Sequence, residues 1–106
     1  MNHVLCAVTL ASAAMLSATP ARAQDAALLQ TRALAATCAN CHGTEGRAVE
    51  GSAVPGLAGL PAVYMQEQMK AFKAGTRTAT VMHQISKGYS DAQIERLAAY
   101  FASAKK

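Results

Sequence analysis

Two cysteines two residues apart, followed at once by a histidine (Cys38-Ala39-Asn40-Cys41-His42), constrain this 106-residue chain more than any other feature. On one helical turn, two such thiols can each add across a vinyl group of a haem. The next residue, His42, then lies beneath the iron as a proximal ligand. A chain that carries this site must wrap a flat, largely apolar group, so the motif dictates a cofactor and much of the core.

Other uses of a Cys-x-x-Cys pair fit less well. A zinc site needs four ligands, usually two such pairs or a Cys pair with a His pair. After Cys41-His42 the only further Cys or His is His83, and no four-ligand set is evident. A thioredoxin-like redox motif sits after a strand in a βαβ setting, and no strand pattern precedes Cys38. A structural disulfide suits an oxidising compartment but leaves His42 without a role. Covalent attachment of one haem c through Cys38 and Cys41 is the reading that uses all three residues.

The N-terminus supports export. Val4 to Leu16 is apolar but too short to span a membrane, and it leads to Ala21-Arg22-Ala23, an Ala-x-Ala cleavage pattern ahead of Gln24. Cys6 comes too early in the segment to be a lipid-attachment cysteine and reads as part of the leader. The expected organisation is a signal peptide over 1–23, cleaved after Ala23, and a monohaem domain over 24–106 in the periplasm. Export also suits the chemistry, because haem and apoprotein must meet after translocation. The 83 remaining residues carry nine basic and six acidic side chains, a formal charge of +3, which two haem propionates would reduce to about +1. That charge is too modest and dispersed for nucleic-acid binding, and no segment after residue 23 is apolar enough to cross a membrane. A domain this small has a marginal core. A buried haem would supply much of the missing apolar surface, so the apoprotein should be poorly folded.

The pattern beyond the leader is all-α. Asp25 is placed to cap a first helix from Ala26 towards Thr37, with Leu28, Leu34 and Ala35 as its buried stripe. Residues 43–60 hold five glycines and Pro55 without periodicity, and read as a loop wrapped on the haem. Pro61 fits the first turn of a helix that carries Met65, Met69 and Phe72 and stops at Gly75. A short helical piece can hold Val81 to Ile85, and Lys87-Gly88-Tyr89 breaks the chain. Ser90-Asp91-Ala92-Gln93 is a capping box, and Ile94, Leu97, Ala98 and Phe101 recur at i, i+3, i+4 and i+7 in a terminal amphipathic helix. Lys105 and Lys106 would suit the negative end of its dipole.

The second axial position decides what the iron does. A Met thioether gives a six-coordinate, electron-transferring centre of raised potential, whereas an open position admits ligands. Met65 and Met69 fall at core spacing on a long helix. Met82 lies on a short segment between two helices, 40 residues after His42, where a side chain can approach the distal face. His83 competes with it, but neighbours on a helical turn point about 100° apart, so only one can face the iron. Pro55 has two readings: its carbonyl can accept the Nδ1 proton of His42 and keep Nε2 for the metal, or Pro55-Gly56 simply turns the loop.

These residues together resemble a small bacterial class I cytochrome c: Cys38-x-x-Cys41-His42 closing a first helix, a Pro55 loop, Met82, and a last helix with Tyr100-Phe101. The resemblance covers nearly the whole chain after residue 23. It implies an all-α fold with crossing N- and C-terminal helices, a haem bracketed by His42 and Met82, and the Pro55 carbonyl as partner of His42. Four stretches narrow it: Cys41-His42-Gly43-Thr44-Glu45-Gly46, Val54-Pro55-Gly56-Leu57-Ala58-Gly59, 68–75 and 82–91. They are similar to the cytochrome subunit of flavocytochrome c sulfide dehydrogenase, in single-haem form. That likeness implies an electron-transfer subunit with no catalysis of its own. Its expected donor is an FAD-containing, sulfide-oxidising flavoprotein, and its acceptor a downstream cytochrome or oxidase. The alternative is a free soluble carrier shuttling between a dehydrogenase and a terminal oxidase or reductase.

Overall fold

The structure, a computed structural model, describes residues 19–106, and all their regular secondary structure is helical. Most of the expected signal peptide, with Cys6, lies outside the described residues. Five α-helices follow in order: α1 (Thr19–Ala36), α2 (Ala39–His42), α3 (Ala62–Ala74), α4 (Met82–Ile85) and α5 (Asp91–Ser103). Single 3-10 turns cover Thr44–Gly46 and Ser86–Gly88. Among the described residues the chain divides between Gln30 and Thr31 into two units. The second holds the core and every candidate site residue.

Helix α1 begins earlier than the sequence suggested. Asp25 lies within it rather than at its cap, because residues 21–24 are mostly strong helix formers and nothing there interrupts the ladder. Pro20 is tolerated in the first turn, where its missing N–H has no partner to lose. The expected buried stripe also shrinks. Leu28 is 50 % exposed, while in the last turn Ala35 is buried and Leu34 partly covered.

Helix α3 organises the rest. It packs on α5 and on the α4 segment with its 3-10 extension, and Gly75, left-handed at φ 76°, closes it with N–H bonds to the Ala71 and Phe72 carbonyls. Met65 joins Ala35, Leu97, Ala98 and Phe101 in the core cluster. Met65 is therefore a packing residue. The expected face of α5 is buried throughout: Ile94, Leu97, Ala98 and Phe101 are each 5 % exposed or less. Lys105 and Lys106 lie beyond the end of α5 at Ser103 rather than in its last turn. Among the described residues, alanines hold three of the seven buried apolar positions, a small core for a domain of this length.

The Ser90 capping box is complete. Ser90 Oγ accepts from the Gln93 amide at 3.2 Å, and the Gln93 side chain accepts from the Ser90 N–H at 2.8 Å. Ser90→Ala removes one of these two bonds and should cost about 1 kcal/mol. The melting midpoint of the haem-loaded protein should fall by roughly 4–8 °C, as read by circular dichroism.

Candidate haem-binding site

The attachment motif is built at the end of α1. After Ala36 the chain turns, and the Cys38 carbonyl accepts the N–H groups of both Cys41 (3.4 Å) and His42 (3.0 Å). This bonding winds Ala39–His42 into the single turn α2 and sets the two unbridged thiols one turn apart. Cys38 is half-buried against the core and Cys41 is exposed. Burial pushes the Cys38 thiol up from its usual range, an effect the Thr37 side-chain hydrogen bond partly offsets, so Cys38 is held as a neutral thiol at neutral pH.

Gly43 makes the exit from this turn possible. Its φ of 83° with ψ of 160° belongs to a region essentially reserved for glycine, and a Cβ there would overlap the Arg47 carbonyl. Glu45, also left-handed at φ 54°, is held by an ion pair between its carboxylate and the Arg47 guanidinium. Gly43→Ala should therefore cost at least about 1–3 kcal/mol from the backbone alone. Its denaturation midpoint should shift further than that of Ser90→Ala.

The following loop returns to the motif because it is closed by its own backbone. The Gly46 carbonyl accepts from Leu57 N at 2.7 Å and Ala58 N at 3.1 Å, and Gly59 N donates to Phe101 O at 2.8 Å. Those three bonds pin the far end of the loop to its start and to α5. Pro55 is carried back to His42, whose Nδ1 lies 2.7 Å from the Pro55 carbonyl oxygen. A carbonyl can only accept, so Nδ1 bears the proton and Nε2 is left with its lone pair for a metal.

Met82 stands on a separate element. It opens α4, a single turn without a side-chain cap, and is half-buried. His83 is also half-buried, with Nδ1 covered and without a protein partner. The Ser86 hydroxyl one turn on is likewise orphaned, in a residue with no exposed surface. Two unsatisfied polar atoms beside Met82 are what a segment completed by a further group would carry. Together with paired thiols and an imidazole whose Nε2 is free, they make a donor set that fits haem c. Among the described residues no cluster of three or more His, Cys, Asp or Glu could hold a bare metal ion. Two open grooves of about 270 and 500 Å³ lie beside Arg47 and touch none of these site residues.

The family model for cytochrome c matches residues 30–105. The chain belongs to the cytochrome c family. It is accordingly an electron-transfer protein with a covalently attached haem c, and Cys38 and Cys41 have the spacing of the attachment motif. The cytochrome c chain is 38 % identical over 73 residues to the cytochrome subunit of sulfide dehydrogenase from Chlorobaculum tepidum, an alignment covering 69 % of this chain and 64 % of that protein. It is 39 % identical over 71 residues to the thiosulfate dehydrogenase electron acceptor of Thiomonas intermedia, covering 67 % of this chain and 33 % of the relative. Among solved structures, cytochrome c4 from Acidithiobacillus ferrooxidans superposes with a TM-score of 0.58 at 39 % identity, over 62 % of this chain and 37 % of that one. This cytochrome c thus spans just under two thirds of the Chlorobaculum subunit and about a third of the Thiomonas acceptor.

Proposed function

We propose that this cytochrome c works in the periplasm, after cleavage behind Ala23, as the electron-accepting partner of an FAD-containing flavoprotein that oxidises sulfide. The observation that carries the reading is its similarity to the Chlorobaculum sulfide dehydrogenase subunit. No helix among the described residues is long and apolar enough to cross a membrane, in keeping with a partner-bound or diffusing carrier.

In this reading Cys38 and Cys41 would hold the haem through thioethers, and His42 Nε2 and the Met82 sulfur would ligate its iron. The haem supplies a one-electron iron couple when bound. The protein's contribution is geometric. The Pro55 carbonyl fixes the tautomer and tilt of His42, and the loop closure at Gly46 fixes Pro55. Met82 would offer its sulfur from a one-turn helix packed on α3. Two ligands held from separate packed elements would suit a centre that changes charge with little movement of the chain.

Fractionation of native periplasm tests the partner. Haem and flavin absorbance should co-elute, and sulfide should reduce the haem in that fraction. A haem fraction free of flavin that is reduced only with a thiosulfate-oxidising fraction would overturn the sulfide assignment.

A further inference from the structure

The distal segment is short of intrinsic support. Helix α4 has four residues, its 3-10 extension three, and neither has a side-chain cap. Isolated turns of this length do not hold themselves. Besides its packing on α3, the segment is tied at its C-terminal end through the next residue, Tyr89.

Tyr89 is held at both ends. The Thr37 hydroxyl lies 2.7 Å from the Leu34 carbonyl, to which it donates, and 2.9 Å from the Tyr89 hydroxyl, with which it shares a hydrogen bond. The result is a hydrogen-bonded chain of the Tyr89 hydroxyl, the Thr37 hydroxyl and the Leu34 carbonyl that ends in the turn leading into Cys38. On its backbone side, the Tyr89 carbonyl accepts from Lys73 Nζ at 2.7 Å, and the same ammonium is 3.2 Å from Asp91 Oδ1. The exposed Asp91 contact contributes little; the half-covered bond to the carbonyl is charge-assisted and stronger. Lys73 is therefore not a free surface cation available to steer a partner. The Tyr89 ring itself packs on the core cluster.

We propose that the Tyr89–Thr37 hydrogen bond is a latch between the two halves of the haem site. It ties the segment that begins with Met82 to the turn that carries Cys38, and sets how often that segment swings open. Tyr89 and Thr37 are thus positioning residues for the distal side. The effect on the iron rests on the assignment of Met82 as ligand; the tie between the two segments does not.

The test uses haem-loaded ferric protein, with Tyr89→Phe, Thr37→Val and the pair combined. One readout is backbone hydrogen exchange over residues 82–89, and the other is the rate at which added imidazole binds the iron. Loss of one such hydrogen bond should raise both about fivefold, while exchange in α5 stays unchanged. Tyr89→Phe should have no further effect once Thr37→Val is in place, because both changes delete the same bond. Tyr100→Phe is the control and should alter neither readout. The latch is overturned if Tyr89→Phe leaves exchange over 82–89 unchanged, or acts equally with and without Thr37→Val. Faster exchange without faster imidazole entry keeps the latch and rejects Met82 as the ligand being displaced.

Discussion

Met82→Ala is expected to lower the reduction potential by on the order of 100 mV, within the roughly 0.8 V range over which axial ligands set haem potentials. A thioether favours the reduced metal, so its loss stabilises the oxidised form. At about 59 mV per tenfold, the change amounts to about a fiftyfold shift in the redox equilibrium, enough to weaken reduction by a flavin donor. The thioether-to-iron charge-transfer band should vanish, and added imidazole should bind directly rather than by displacement. His83 makes a second variant necessary. Its covered, unpartnered Nδ1 marks a side chain able to take up a vacated position, which would keep the iron low-spin. Met82→Ala with His83→Ala removes that route and should give a high-spin spectrum. An unchanged potential and band in Met82→Ala would show that the sulfur is not on the metal.

The parts of this molecule written in local sequence were the legible ones. The capping box at Ser90 and the buried face of α5 follow from spacing alone, as does the stop at Gly75, because each depends on residues within one or two turns. The covalent haem was legible for the same reason, since Cys38, Cys41 and His42 share a turn. Helix α1 was misread at its start because Asp25 looks like a cap only if the residues before it are not helical. Alanine and glutamine there extend the helix as readily as those after it. Lys73 reads in sequence as an exposed cation, yet its ammonium reaches the Tyr89 carbonyl sixteen residues away. The Tyr89–Thr37 bond joins residues 52 positions apart, and no periodicity encodes such a pairing. Pro55 lies between these cases. Its carbonyl could be suspected from the needs of an imidazole, but only the closure of the loop on Gly46 brings it to 2.7 Å from Nδ1.

His42→Ala is expected to have the larger effect on the amount of functional protein. Holoprotein, measured by haem absorbance against total chain, should fall by more than about tenfold. Alternatively the haem should remain attached through Cys38 and Cys41 while its proximal bond is lost, as seen in the spectrum. The loss is not confined to one ligand. With the imidazole gone, the exposed Pro55 carbonyl exchanges its His42 donor for water, at a cost of about 0.5–1.5 kcal/mol. The loop loses that tie to α2, while its closure through the Gly46 carbonyl stays in place. The core offers little reserve, because the buried apolar residues are few and partly alanine, so a chain that cannot seat its haem should be left largely unfolded and open to proteolysis. Cys41→Ala provides the contrast. It deletes one thioether but keeps Cys38, His42 and the Pro55 bond, so it should retain haem with axial bands at reduced yield. If His42→Ala instead accumulates to normal levels with unaltered axial bands, His42 is not the proximal ligand, and the 2.7 Å contact with Pro55 only ties the loop to α2.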